Sequence, residues 1–196
     1  MLTIDYRGFG DSSETGVTEG SLLEDAMAGL SWLREKGGAD LHILVLGHSL
    51  GTAVAARAVA EQSCQVSGLI LMAPFNNLLD EVISKCEGTS SRLKYWLWCV
   101  VSAISGKAVL GYLLSKLQVE FRTDDHLASV NTPLLVLHAE DDDKIPVELA
   151  RKLVLYLTSL GKTNVRLHVY DESHGYKHDD IFKAQDLPSL ILEFTS

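Results

Sequence analysis

A serine flanked by glycines is the first point in this chain where residue types and spacing suggest chemistry. Gly47-His48-Ser49-Leu50-Gly51 follows the apolar run Leu41–Leu46 and precedes the Ala-rich helical segment Thr52–Glu61. A Gly-x-Ser-x-Gly turn between a strand and a helix projects the serine hydroxyl from a strained backbone, and the helix N-terminus behind it favours negative charge. The pattern predicts a nucleophile at Ser49 and an oxyanion donor at the backbone N–H of Leu50.

A nucleophilic serine needs a base, and that base needs a carboxylate to orient it. In hydrolases with this turn, the chain order is serine, acid, histidine. The acidic run Glu140-Asp141-Asp142-Asp143 follows the predicted strand Leu134–Leu137, and His174 and His178 both follow the last predicted strand. Because four consecutive carboxylates repel one another, one of them is expected to point inward to a partner. Spacing alone selects neither the acid nor the histidine.

Other polar residues near the predicted strand ends are interpreted as structural. They are Asp5, Arg7, His42, His48, His126, His138 and His168. A metal site formed by His138 and the acidic run lacks a supporting ligand spacing, so neither a metal nor a cofactor is predicted. Cys64, Cys86 and Cys99 are too widely spaced for a metal pattern or a paired disulfide framework, which favours a reducing, intracellular compartment.

The elements that must position these side chains alternate between strand and helix. Strands are predicted at Met1–Tyr6, Leu41–Leu46, Ser67–Met72, Leu134–Leu137 and Val165–Tyr170, and helices at Ser21–Lys36, Thr52–Glu61, Val147–Leu160 and Pro188–Phe194. This alternation favours an α/β fold with a mostly parallel sheet flanked by helices, in a single domain spanning residues 1–196. The continuous apolar run Leu41–Leu46 is typical of a strand covered on both faces.

An apolar stretch at residues 95–114 lies between two predicted strands. Its length is close to that of a membrane span, but Lys107 lies within it and Gly106 and Gly111 interrupt it. We therefore expect a small apolar cap insertion around residues 80–120, in contact with a lipid surface, rather than a membrane-spanning helix.

The charge balance argues against nucleic acid as a partner. The 196 residues carry 26 acidic and 17 Lys or Arg side chains, giving a formal net charge of −9. Without a cluster of basic residues, such a chain has no electrostatic footprint for a phosphate backbone. The N-terminus also lacks the charged and apolar regions of a secretory signal.

Five segments together resemble a known family. They are Asp5-Tyr6-Arg7-Gly8-Phe9-Gly10-Asp11-Ser12, Gly47-His48-Ser49-Leu50-Gly51-Thr52, Ala73-Pro74-Phe75-Asn76-Asn77, Leu134-Leu135-Val136-Leu137-His138-Ala139-Glu140-Asp141-Asp142 and Gly175-Tyr176-Lys177-His178, which is followed by Leu187-Pro188. Nearly the whole chain is similar to the α/β-hydrolase superfamily, and specifically to the α/β-hydrolase-domain lipases that act on monoacylglycerols and lysophosphatidylserine.

The resemblance selects between the alternatives that spacing leaves open. In the family pattern the acid precedes the proline of a Val/Ile-Pro pair by four residues, which implies Asp142 before Pro146. The family histidine corresponds to His178 better than to His174. The implied triad is Ser49 as nucleophile, His178 as general base and then acid, and Asp142 as its orienting partner. The implied activity is hydrolysis of lipid acyl esters, with association with the endoplasmic reticulum membrane.

The resemblance also implies parts that precede this chain's first residues in the family. These are roughly three further strands, a His-Gly loop that supplies a second oxyanion N–H, and a membrane anchor. One of those strands lies, in the family sheet, between the strand at Met1–Tyr6 and the strand that leads to Ser49. The alternative expectation is therefore a truncated, catalytically weak or inactive α/β-hydrolase-fold chain that acts as a binding or regulatory protein.

Overall fold

The computed structural model describes residues 1–14, 16–38, 40–61, 66–77 and 121–195. The predicted cap at 80–120, including its apolar stretch 95–114, lies outside these residues. Cys64, Cys86 and Cys99 lie outside them as well. Across the described ranges, no helix has both the length and the hydropathy needed to cross a membrane.

The described residues form a parallel sheet with helices packed on it. In chain order, the elements are α1 (Glu19–Gly37), β1 (Leu44–His48), α2 (Leu50–Glu61), β2 (Gly68–Met72), α3 (Thr123–Ser129), β3 (Leu134–Ala139), α4 (Val147–Ser159), β4 (Val165–Tyr170) and α5 (Leu187–Thr195), with short 3₁₀ turns at Glu172–His174 and Ile181–Lys183. The four strands lie in the order β1-β2-β3-β4, all parallel. The predicted fold class is confirmed. No predicted element corresponds to α3, whose seven residues are too few to show a helical period.

Local sequence explains where α1 begins and ends. The Thr18 hydroxyl accepts a hydrogen bond from the backbone N–H of Ser21, and the Ser21 hydroxyl accepts one from the N–H of Thr18. This reciprocal cap satisfies two of the donors that a helix start leaves unpaired. At the other end, Gly38 adopts a positive φ of 79° and its N–H bonds to the carbonyl of Arg34. Glycine favours that conformation, so the Gly37-Gly38 pair ends the helix.

The core lies on both faces of the sheet. On one face, Leu69, Leu71 and Val136 pack with residues of α1 to α4, and on the other face Ile70, Leu135 and Leu137 pack with Ile181 and with Leu187 of α5. Every residue of β2 and β3 is buried, as is typical of parallel strands covered on both faces. These two strands are the rigid centre on which the loops at their carboxyl ends are built.

The structure corrects two predictions on the β1 side of the sheet. Residues 1–6 do not form a strand, and none of the four described strands pairs with them. The second strand begins at Leu44 rather than Leu41 and is not covered on both faces, since Leu44 and Leu46 are 39% and 51% exposed. It is the edge of the described sheet.

A groove separates residues 2–6 from β1. It has a volume of about 430 Å³ and is lined by Leu2, Ile4, Leu44 and Leu46, with Leu30 of α1 among the residues that complete it. The groove lies where the family resemblance implies a further strand. The side chains of Leu2 and Ile4 lie beside Gly29 of α1, where an added Cβ would be 3.5 Å from Ile4 and 3.7 Å from Leu2.

Candidate active site

Ser49 lies on a strained turn between β1 and α2. Its φ is 52°, a left-handed conformation that is uncommon for any residue other than glycine. The Ser49 N–H donates to the carbonyl of Met72 at the end of β2, at 3.0 Å. Its carbonyl accepts the N–H and the hydroxyl of Thr52, at 2.9 and 2.6 Å. These bonds from two neighbouring elements hold the serine in its strained position.

The two glycines of the turn are not equivalent. A Cβ added to Gly47 would lie 2.4 Å from the backbone oxygen of Gly51, a contact that rigid backbone cannot relieve. A Cβ added to Gly51 would meet no described atom within 4 Å. Of the two glycines, Gly47 is therefore the one that close packing requires.

The structure brings the three predicted residues into one hydrogen-bonded row. His178 is 3% exposed; its Nε2 lies 2.9 Å from the Ser49 hydroxyl, and its Nδ1 lies 2.8 Å from Oδ2 of Asp142. The carboxylate can only accept, so Nδ1 carries the proton and Nε2 is left to accept the serine proton. The three side chains follow β1, β3 and β4, whose carboxyl ends meet at one edge of the parallel sheet.

Asp142 is held ionised by donors that converge on it. Its Oδ1 accepts the backbone N–H groups of Lys144 and Ile145, at 2.9 and 2.8 Å. Burial of the carboxyl would raise its pKa, but the contact with His138, these two backbone N–H groups and the bond from His178 outweigh burial and lower the pKa of Asp142 to about 2. The carboxylate therefore stays charged at neutral pH and can stabilise a protonated His178.

Further contacts hold the acidic loop against the histidine loop. Asp141 accepts the backbone N–H of Lys177 at 3.0 Å, and Lys144 pairs with Asp179. The Lys144 ammonium also keeps the pKa of Asp179 below its ordinary value. Glu140 pairs with Arg151 of α4. The acidic run tolerates its own repulsion because its first three carboxylates have separate partners.

Two histidines that sequence reasoning assigned to structure contact this row. His48 donates from Nε2 to the backbone carbonyl of His178 at 2.9 Å, and the two rings lie 5.0 Å apart. His138 is fully buried, and its Nε2 lies 3.1 Å from Oδ2 of Asp142. In the sequence, the only signal for these two contacts was position, since His48 directly precedes the serine and His138 precedes the acid by four residues.

The second candidate base, His174, and the predicted structural residue Arg7 form their contacts outside the row. His174 is exposed, its Nδ1 lies 3.0 Å from the Asp171 carbonyl, and its ring stacks on Tyr176. Arg7 forms ion pairs with Glu24 and Asp25. The structure thus joins His178, and not His174, to Ser49.

Two further features lie beside Ser49: the start of α2 and a cluster of ligand atoms. Leu50 is the first residue of α2, so its N–H has no acceptor within the helix. Ligand atoms of His48, His178 and Asp179 lie within 4.8 Å of one another. Both ring nitrogens of His178 already face Asp142 and Ser49, so a cation there would displace the serine from its base. The arrangement is instead suited to proton transfer from a serine hydroxyl.

Comparison with known proteins identifies the family. The family model described as serine aminopeptidase, S33 (Hydrolase_4), matches residues 1–108, more than half of the chain. The chain belongs to this family. The predicted resemblance to serine α/β hydrolases is thereby confirmed. The matched range includes Ser49 and ends before Asp142 and His178, so it does not bear on the acid or the base.

Similarity to curated relatives also extends over Asp142 and His178. The chain is 32% identical over 203 aligned residues to lysophosphatidylserine lipase ABHD12 of Macaca fascicularis, which covers 99% of this chain and 48% of that protein. The chain thus spans about half the length of the curated relatives it matches.

Solved structures support the same fold. An α/β hydrolase from Vibrio vulnificus superimposes with a TM-score of 0.67 at 22% identity, covering 95% of this chain and 61% of that one. Esterase Pf2001 from Pyrococcus furiosus gives a TM-score of 0.64 at 20% identity, covering 97% and 67%. At these identities the likeness concerns the fold alone.

Proposed function

We propose that this chain carries the active site of a serine hydrolase that cleaves acyl esters of lipids, with Ser49, His178 and Asp142 as its triad. The observation that carries the proposal is the hydrogen-bonded row from the Ser49 hydroxyl through His178 to Asp142. A strained serine, a neutral imidazole with the correct tautomer and an ionised carboxylate are the parts that such catalysis needs.

In the proposed reaction, the Ser49 Oγ attacks the acyl carbonyl carbon while His178 Nε2 takes the hydroxyl proton. The tetrahedral oxyanion accepts a hydrogen bond from the N–H of Leu50 at the start of α2. When the ester bond breaks, His178 returns the proton to the leaving alcohol, and an acyl group remains on Ser49. Water, activated by the same nitrogen, then releases the fatty acid and regenerates the serine.

The proposed substrate class is a monoacylglycerol or a lysophospholipid. Similarity to the lysophosphatidylserine lipase of Macaca fascicularis makes lysophosphatidylserine the first candidate, while membership of the serine aminopeptidase family makes a peptide amide the competing one. A lipid substrate implies contact with a membrane surface, for which residues 95–114 are the proposed segment. Association with the endoplasmic reticulum membrane is tested by fractionating cells that express the tagged protein.

The experiment is covalent labelling of the purified chain with a fluorophosphonate, located by mass spectrometry. Ser49→Ala and His178→Ala are expected to abolish labelling, because they remove the nucleophile and its base. His174→Ala is the matched control, since His174 is exposed on the same loop and has no contact with Ser49. Circular dichroism on each sample establishes that it is folded.

The outcomes separate the candidates. Labelling lost in both triad variants and retained in His174→Ala supports the proposal, and hydrolysis of lysophosphatidylserine, a monoacylglycerol and a peptide amide then ranks the substrates. Labelling that is lost in Ser49→Ala and His174→Ala but survives in His178→Ala would show that the wrong histidine was chosen. A folded chain that is not labelled would favour the alternative, a catalytically weak or inactive chain that binds a partner or lipid.

A further inference from the structure

His138 occupies a position where the fold would ordinarily place an apolar side chain. It is the fifth residue of β3, every residue of which is buried, and it is itself 0% exposed. Side chains alternate along a strand, so His138 points to the same face as Leu134 and Val136, both of which belong to the apolar core. An imidazole in that environment loses its hydration, so its polar atoms need partners within the protein.

The partners of His138 are both acceptors. Its Nε2 lies 2.9 Å from the backbone carbonyl oxygen of Ile145 and 3.1 Å from Oδ2 of Asp142. Neither a carbonyl nor a carboxylate can donate, so Nε2 must carry a hydrogen, which the two oxygens share. Among the described residues, the other nitrogen, Nδ1, has no partner. Among the described residues, hydrogen bonding therefore fixes the ring through its Nε2 edge.

That edge bridges the two ends of the turn that carries the acid. Ile145 donates its own N–H to Oδ1 of Asp142 at 2.8 Å, while its carbonyl faces His138. Without a hydrogen between them, the Ile145 carbonyl and the Asp142 Oδ2 would be two desolvated acceptors turned toward the same point. They would repel each other, and the cheapest relief is rotation of the carboxylate away from His178.

We propose that His138 is a positioning residue, which fixes the Asp142 carboxylate in the orientation that meets His178 by sharing its Nε2–H between Asp142 and the Ile145 carbonyl. The proposal rests on the proposed function, because Asp142 matters catalytically only if the triad operates. His138 touches neither Ser49 nor a substrate carbonyl, and it acts through Asp142 alone.

Three substitutions separate the donor from the space that the ring fills. His138→Gln retains an N–H at about the reach of Nε2, His138→Asn moves the amide back toward the position of Nδ1, and His138→Met fills the site without a donor. The rate of fluorophosphonate labelling is measured for each at matched folded fraction. We expect roughly a 10- to 100-fold loss for Met and Asn, the range for a misplaced catalytic group, and less than about a 5-fold loss for Gln.

A second readout does not require activity. The proton on His178 Nδ1, hydrogen-bonded to Asp142, is followed by proton NMR through the nitrogen-labelled ring. We expect it to be protected and downfield in the wild type and in His138→Gln, and to be lost or shifted upfield in His138→Asn. A merely structural role for His138 would lower the melting temperature but leave this resonance where it is.

The two readouts keep the two proposals apart. A wild-type chain that is never labelled removes the proposed function, while the resonance still reports on the positioning of Asp142. Equal labelling of the Gln and Asn variants, or an unchanged resonance in the Asn variant, would overturn the role of His138 and leave the triad intact. If His138→Met does not fold, the Gln and Asn pair decides alone, because both bury an amide in the same strand.

Discussion

Two regions that border β1, at its carboxyl end and along its outer edge, are held in place in different ways. At its carboxyl end, three loops after β1, β3 and β4 are joined by hydrogen bonds among Ser49, His178, Asp142 and their neighbours. Along its outer edge, residues 2–6 face the strand across a groove of about 430 Å³, and no described strand pairs with the backbone there. The hydrogen bonds of the row at Ser49 therefore join loops of the continuous sheet and do not reach the segment across the groove.

The physical reason lies in what each loop is anchored to. The acid and histidine loops follow β3 and β4, which are paired over six residues and lie away from the groove. The Ser49 turn is the one part of the row that borders both regions, because it follows β1. It is tied to the sheet side by its bond to Met72 of β2. Substitutions on the sheet side of β1 should therefore lower the free energy of unfolding strongly, and substitutions on the groove side should lower it little.

The largest expected effect compares two residues that are paired across β1 and β2. Leu46 and Ile70 are register partners, but Leu46 is 51% exposed toward the groove and Ile70 is 1% exposed. Ile70→Ala should lower the free energy of unfolding by about 2–5 kcal/mol, because it leaves a cavity in the core. Leu46→Ala should cost less than about 1 kcal/mol. Urea unfolding measures both, and equal losses would show that the groove side is as well packed as the core.

The next effect concerns the turn that joins the two regions. Gly47→Ala should lower stability by about 1–3 kcal/mol and slow labelling of Ser49, because its Cβ would collide with the backbone oxygen of Gly51. Gly51→Ala is the matched variant from the same motif, and it should be neutral or slightly stabilising in α2. Thermal melts and labelling rates of the two variants test this. A tolerated Gly47→Ala would mean that the turn can shift to relieve the contact.

The smallest effect is the pH dependence of the loop at the site. The folded pKa of Asp142, about 2, is below its ordinary value of 3.8, so its ionisation favours the folded state. That contribution is present above about pH 4 and is lost as the pH falls through 2, and it amounts to no more than about 2 kcal/mol. Between pH 2 and 6, the free energy of unfolding measured in urea should depend less steeply on pH for Asp142→Asn than for the wild type.

Asp143→Asn is the control for that slope, because Asp143 is its exposed neighbour in the acidic run. Its unfolding should follow the wild-type dependence on pH. If both variants kept the wild-type dependence on pH, the hydrogen bonds to Asp142 would contribute nothing to folding. The joining of the loops at the carboxyl end of β1 would then need another explanation.

Much of the fold could be predicted from the sequence because the relevant signals are local. The apolar runs of β2 and β3 and the Gly37-Gly38 stop of α1 act within a few residues, and the structure has them within two residues of the predicted bounds. The site was only partly accessible in this way. The serine is marked by its own motif, but the choice of Asp142 and His178 required a resemblance, since spacing leaves four carboxylates and two histidines available.

By itself, the sequence determined the alternation of strands and helices, the turn that carries Ser49 and the order in which an acid and a histidine follow it. Only the tertiary structure decided that His178 meets Ser49 while His174 stacks on Tyr176, that Gly47 is sterically required and Gly51 is not, and that His48 and His138 contact the row. The reason is that these outcomes depend on pairs of residues far apart in the chain, or on one backbone oxygen at close range. An apolar pattern also indicates that a segment prefers burial, but it does not indicate whether a neighbouring strand is present to bury it. For this reason residues 1–6 and β1 differ from the prediction.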